Sequence, residues 1–209
     1  MKKAFTIILL LGCFAANAQI MRYRDVNIPK RNAIKTNILS PLIGTLNICH
    51  EYLLDSVWSV QNGFAYTSII EQPNDNKKFG FEGFQYTLDV RMYKSTKQRW
   101  NGWYNQFFLR FAQYANYDYK QDSSTANKVV QLNEKMAGIN LGVAYGYQRV
   151  YQNKFVLDVY GGIYKTLSIS YKSNLDEKTI EIYELESFKV NPLTSLSSIR
   201  LGLKVGYLF

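Results

Sequence analysis

The last nine residues, Leu201-Gly-Leu-Lys-Val-Gly-Tyr-Leu-Phe209, restrict this chain more than any other stretch. Leu201, Leu203, Val205, Tyr207 and Phe209 are apolar at every second position, which places all five on one face of a strand. Gly202, Lys204, Gly206 and Leu208 form the other face, mostly small or polar. The pattern recurs upstream. Phe84, Tyr86, Leu88, Val90 and Met92 oppose Gln85, Thr87, Asp89, Arg91 and Tyr93, and Ile139, Leu141, Val143, Tyr145 and Tyr147 oppose a face rich in glycine. It appears less cleanly over residues 34–39, 45–54, 58–70, 105–119, 155–171 and 196–209, while no segment has a convincing helical period. The chain is therefore all-β, with eight candidate strands.

Two architectures accommodate such strands: a soluble sandwich or barrel with its apolar face inward, and a membrane barrel with that face outward. The N-terminus bears on the choice. Lys2 and Lys3 precede an apolar stretch over residues 4–16, and Ala16-Asn17-Ala18 offers small residues before Gln19. This is the order of a secretory signal peptide, dividing the chain into a leader over 1–18, a basic mobile arm over 19–32 and a body over 33–209. Leu10-Leu-Gly-Cys13 offers a second cleavage box that would place a lipid on Cys13, although Leu11 is bulky for that position. Both readings export the chain. The apolar stretch is shorter than the roughly 20 residues of a spanning helix.

Composition agrees with a membrane barrel. Seventeen Tyr and 12 Phe stand against 4 Pro, a bias suited to strands and to aromatic girdles at two membrane interfaces. Loss of Lys2 and Lys3 lowers the formal net charge from +9 by two, so the exported chain stays basic and suits anionic lipid headgroups rather than nucleic acid. Cys49 would be the one cysteine left, so the fold must hold without an internal disulfide.

Isolated charges fix which face points where. Lys35, Glu51, Asp89, Arg91, Arg110, Asp118, Asp158, Arg200 and Lys204 lie on the mixed faces. A basic residue facing lipid near the bilayer midplane costs about 2–4 kcal/mol, so in a membrane barrel all nine point inward. Five are basic and four acidic, a balance suited to buried ion pairs, and Asp89, Arg91 and Arg110 on adjacent strands are expected among the partners. Tyr93, Phe108, Tyr114, Tyr160 and Tyr164 share the inward phase, with Gly138, Gly142, Gly146 and Gly162 leaving room for them. An eight-stranded barrel is just wide enough to be filled by side chains, so no continuous aqueous path is expected.

Connections alternate in length: 55–57 and 150–154 are short, 94–102 is intermediate, and 71–80, 120–134 and 172–194 are long and polar. Short periplasmic turns and long outer loops are the usual asymmetry of outer-membrane barrels, and 40–44 is the one short connection on the outer side. The expected fold is an eight-stranded antiparallel up-and-down transmembrane β-barrel.

Reactive constellations are scarce. His50 is the only histidine, so a Ser-His-Asp arrangement has one candidate base and no metal site can use two imidazoles. Cys49 beside it points to the opposite strand face, and His50 falls on the lipid-facing phase toward the periplasmic end. No cofactor is expected. A lipid-modifying or proteolytic enzyme and a narrow channel remain as alternatives to a non-enzymatic scaffold for surface loops or envelope integrity. Residues 172–194, with the alternating Thr179-Ile-Glu-Ile-Tyr-Glu-Leu-Glu186, could extend the wall as a ribbon and recruit a partner strand.

Two resemblances sharpen the reading. The terminal strand, through Val205, Tyr207 and Phe209, resembles the C-terminal assembly signal of bacterial outer-membrane β-barrels. The segment Ala33-Ile-Lys-Thr-Asn-Ile-Leu-Ser-Pro-Leu-Ile-Gly-Thr-Leu-Asn-Ile-Cys-His-Glu-Tyr52 resembles the opening hairpin of a family of small Bacteroidota outer-membrane barrels, a domain of unknown function with OmpA-like eight-stranded architecture. These resemblances imply an outer-membrane location, contact with outer-membrane lipids and the barrel-assembly machinery, and a monomer. They bring no catalytic residue.

Overall fold

The computed structural model describes residues 30–74, 77–94, 100–122, 128–175 and 199–209, together with Thr179. Eight strands follow in chain order: β1 (Asn32–Asn37), β2 (Thr45–Leu53), β3 (Trp58–Asn74), β4 (Lys77–Tyr93), β5 (Gly102–Asp122), β6 (Lys128–Tyr151), β7 (Phe155–Ser173) and β8 (Ile199–Leu208). Each is antiparallel to the next, and β1 pairs with β8 to close the barrel, Ala33 opposite Leu208. The start of β1, the end of β8 and the β2–β3, β4–β5 and β6–β7 strand ends share one end, here the near end; the other strand ends lie at the far end.

Local chemistry sets the tight turns. Asp55 Oδ1 accepts from the backbone N–H groups of Val57 and Trp58, both at 2.7 Å, an Asx turn that reverses β2 into β3. A short 3-10 turn, Ser40–Ile43, carries proline in its first turn and stops at Gly44, whose φ of +64° suits a residue without a side chain. Gln152 and Asn153 both take positive φ in the β6–β7 turn.

The wall reads outward as a belt. On β5, Trp103, Phe107, Leu109 and Phe111 face out before Gln113; on β6, Tyr147, Tyr145, Val143, Leu141 and Ile139 do so before Lys135. About 9–11 residues of tilted strand cross a bilayer, and the stretch from Trp103 to Phe111 has that length. Leu46, Phe64, Phe84, Leu141, Ile163 and Leu201 are all more than two-fifths exposed, an apolar surface that water would not stabilise and lipid does. Two polar pairs within the belt are hydrogen-bonded: Tyr86 Oη donates to Asn62 Oδ1 at 2.7 Å, and Thr36 Oγ1 to the Asn47 carbonyl at 2.7 Å. This is a transmembrane barrel with an inverted, polar interior.

The expected strands are all present, and the differences gather at the far end. Residues 71–80 and 120–134, expected as loops, are mostly strand, with β5 and β6 paired out to Asp122 opposite Lys128. Past the belt the outward face meets water at Asn133 and Lys135 while Leu132 and Glu134 stay buried, so the apolar outer face stops while backbone pairing continues. Of 172–194, β7 takes the first two residues; the expected Thr179–Glu186 ribbon otherwise falls outside the described residues, as do the leader over 1–18 and residues 19–29. The end of the arm is docked, a correction to its reading as mobile throughout. Asn32 opens β1, Leu53 N donates to the Arg31 carbonyl at 2.8 Å, and Lys30 Nζ donates to the carbonyls of Asn153 and Leu208 at 3.0 and 3.3 Å. Backbone carbonyls left over at the near end are what fix it.

Candidate functional site

The site is the lumen, which has two parts. At the near end, Ala33, Leu53, Val156, Leu208 and Trp100 form an apolar floor, each at most 4% exposed. Tyr104 and Phe108 continue the packing, and their bulk fits because the strands facing them carry glycine. A Cβ added at Gly146 would run into Tyr104, and one at Gly142 into Phe108. Tyr104 lies one residue outside the expected strand over 105–119 and was not among the expected interior aromatics. Gly162 abuts Ala144 and the β6 backbone instead of the aromatic expected there.

Above the floor lies a deck of paired charges. Lys35 Nζ bridges Glu51 and Asp158, the latter at 3.0 Å, and Arg91 Nη1 reaches Asp158 at 2.8 Å and Glu51 at 3.3 Å. Gln148 Oε1 accepts from Lys35 at 2.8 Å; Tyr93 Oη donates to Glu51 at 2.9 Å, and Ser59 and Tyr104 hydroxyls donate to Glu51 and Asp158. The Arg91 guanidinium also lies 4.4 Å from the Tyr104 ring centroid. All four charged side chains are sealed from solvent, and two cations meet two acids. Buried charges persist when opposite charges and hydrogen bonds are supplied together, and this deck supplies both.

The lumen toward the far end is different. Asp89 is held by a two-pronged contact from Arg200, at 2.8 and 3.4 Å, and by the Gln61 amide. Among the described residues Lys204 and Arg110 make no close ion pair, although Lys204 stands opposite Asp158 in the β7–β8 register. Lys204 Nζ rests 4.8 Å from the Tyr160 centroid, while Arg110 lies 5.0 Å from Tyr164 and 5.7 Å from Phe108. Arg110 Nε is buried and has no hydrogen-bond partner. Arg110, Arg200, Lys204, Gln61 and Thr87 border a cavity of about 320 Å³, with Ser40 and Ile43 at its edge.

Several expectations are thereby corrected. Asp89 pairs with Arg200, and Arg91 pairs across the barrel with Glu51 and Asp158, so Arg110 is no partner of either neighbour. Strand adjacency gave the wrong pairs because inward side chains of a narrow barrel meet across the lumen. The interior is filled at its near end and through the deck, with a cavity beyond them at Arg110, Arg200 and Lys204. Asp118, although inward and 7% exposed, lies opposite Leu132 in the far hairpin, away from the ion-pair deck. Beside it Glu134 is fully buried, accepting from Tyr171 Oη and from Asn116 Nδ2 at 3.2 Å. Sequence reading missed Glu134 because it ended the β6 pattern at Ala137, although the inward phase extends to it.

His50 faces outward, with Nε2 3.0 Å from Asn32 Oδ1 and its ring 6.4 Å from Phe209. Cys49 is buried on the inward phase, its thiol donating to the Lys35 carbonyl at 3.4 Å. Among the described residues no three His, Cys, Asp or Glu side chains converge on a point that could hold a metal ion. Val205 is half-buried in the β8 wall; Tyr207 and Phe209 are exposed near the barrel seam, Tyr207 edge-on to Phe155 at 6.0 Å.

Solved structures similar to this chain include the N-terminal β-barrel domain of Pseudomonas aeruginosa OprF, at 12% identity and TM-score 0.45, covering 86% of this chain and 98% of that one. Acinetobacter baumannii CarO2 is similar at 13% identity and TM-score 0.46, covering 87% and 98%. A. baumannii CarO is similar at 11% identity and TM-score 0.45, covering 87% and 97%. No curated protein matches the sequence. The family described as protein of unknown function (DUF3575) matches residues 4–185, and the chain belongs to that family.

Proposed function

We propose that this protein is a non-enzymatic barrel of the bacterial outer membrane that mounts rigid hairpins above the membrane surface, with the near end in the periplasm. The observation that carries the reading is the β5–β6 hairpin. It stays paired from Gly102 opposite Gln148 out to Asp122 opposite Lys128, although the belt ends near Phe111 and Ile139. A wall needed only to cross lipid would stop after about 10 residues per strand. The extra length holds exposed groups at a fixed height and orientation, which is how scaffolds commonly present binding function. The floor and the paired deck speak against open conduction, and His50, outward and near the chain terminus, speaks against hydrolysis in the outer leaflet.

The reading includes assembly by the barrel machinery through Val205, Tyr207 and Phe209, a monomer in the membrane, and partner binding through the far hairpins together with residues 172–194. Cell fractionation and surface proteolysis test it. The protein should fractionate with the outer membrane, show heat-modifiable gel mobility, and lose its far hairpins to external protease while the barrel core survives. Recovery as a soluble periplasmic monomer overturns it.

A further inference from the structure

The cavity at the far end holds more positive charge than the protein itself neutralises. Arg110, Arg200 and Lys204 border it, against the single carboxylate of Asp89, which Arg200 already engages. Three cations less one acid leaves a local charge of +2. The deck balances its own two cations with two acids, so although Lys204 stands opposite Asp158 in register, the excess remains on the chamber side. A buried cation without a partner is costly unless something else supplies the opposite charge. Aromatic faces at 5.0 Å from Arg110 and 4.8 Å from Lys204 soften that cost and leave hydrogen-bond donors unused. Arg110 borders the cavity, and its Nε is sealed from solvent with no acceptor. Gln61 lies at the same cavity with its Oε1 also unpartnered.

We propose that this chamber is a binding site for a phosphate group, held by Arg110, Arg200 and Lys204. A free phosphate dianion matches the excess of +2, a lipid phosphodiester offsets half of it, and the oxygens of either accept from guanidinium and ammonium donors together. At about 320 Å³ the cavity lies at the small end of ligand pockets, which fits a phosphate or the head of a larger molecule rather than a polymer. The exposed apolar side chains Ile43 and Ile199 border the same space. The phosphate can therefore come free from solution or attached to a lipid whose tails lie along the wall.

The test uses the full-length mature protein folded in a phosphate-free maltoside detergent, with thermal unfolding followed by gel mobility. Inorganic phosphate is titrated against chloride at matched ionic strength. In a parallel arm the protein is placed in vesicles of phosphatidylglycerol or of phosphate-free galactolipid. A saturable rise in melting temperature with inorganic phosphate identifies a free anion; a rise only in the phosphatidylglycerol vesicles identifies a lipid headgroup. Either supports the site, provided R110Q and K204Q each weaken the response about tenfold or more. K94Q, removing an ammonium that contacts Tyr145 on the outer surface, should leave the response unchanged. R110M should melt no lower than the parent without phosphate, because it removes an uncompensated charge, and K204Q carries the comparison if R110M does not fold. No response in either arm, or a response that survives in both R110Q and K204Q, overturns the proposal.

Discussion

The two parts of the lumen are built from the same residue types and solve the burial of charge in opposite ways. In the deck, Lys35 and Arg91 share Glu51 and Asp158, and the surrounding Gln, Ser and Tyr side chains add hydrogen bonds to them, although Arg91 Nε and Nη2 stay buried without an acceptor beside the Tyr104 ring. In the chamber, two of three cations make no close ion pair and lean on aromatic rings beside open space. Charge inside a barrel is thus no single signal. Where opposite charges balance beside close packing, the charges act as a plug; where one sign is in excess beside a cavity, they suit the anion proposed above.

The largest effect should come from breaking the deck. Glu51→Ala leaves Lys35 and Arg91 sharing one carboxylate and strips the Ser59 and Tyr93 hydroxyls of their acceptor, a loss of about 3–5 kcal/mol. Urea titration of the folded, heat-modifiable form should show it, whereas Arg110→Ala should cost far less. Equal losses would mean that the two regions do not differ in the way described.

Glycines give a smaller and independent measure of the same contrast. Gly146→Ala places a Cβ against the buried Tyr104 ring and should cost about 1–3 kcal/mol through overpacking. Gly63→Ala borders the chamber, where its Cβ would sit at an ordinary 3.4 Å from Cys49, and should change the unfolding free energy in urea by less than about 0.5 kcal/mol. If Gly63→Ala proved the more damaging, the chamber would be no cavity.

Deleting Phe209 removes two backbone bonds to Asn32, at 2.9 and 3.3 Å, and a ring near His50. It should lower unfolding resistance by about 2 kcal/mol and reduce the folded amount in membranes without reducing export. The smallest effect is expected at the far hairpin. Joining Ala115 to Lys135 through a short turn should leave the melting temperature of the barrel almost unchanged, while abolishing any surface binding that the hairpin carries. A large loss of stability would make the hairpin part of the folding core.

The sequence disclosed the wall more fully than the interior, for a physical reason. Lipid imposes one demand on every strand, so the outward phase from Trp103 to Phe111 or Tyr147 to Ile139 is visible as plain alternation. The same alternation tells which charges turn inward, and Lys35, Glu51, Asp89, Arg91 and Asp158 are each at most 1% exposed. It cannot tell which of them meet. Arg91 and Asp158 are 67 residues apart and Asp89 and Arg200 are 111 apart, and their contacts depend on barrel curvature rather than strand order. The far hairpins were hidden for the converse reason: their outward face meets water and their inward face carries Asp118 and Glu134 beside Leu132, so the apolar-polar contrast that reveals a strand is lost.

The seam between β1 and β8 sets the tempo of folding. Ala33 pairs with Leu208, so the contact that closes the cylinder joins nearly opposite ends of the polypeptide. Hairpins such as β3–β4 can zip early because their partners are close in the chain, but the seam must wait for every intervening strand. Its entropic cost is paid once, in the final step, and until then two strand edges are open to pairing with another chain. A stalled molecule is therefore an aggregation hazard, and the clasp of Lys30 on the Asn153 and Leu208 carbonyls offers a local fastening that slows reopening once the ends have met.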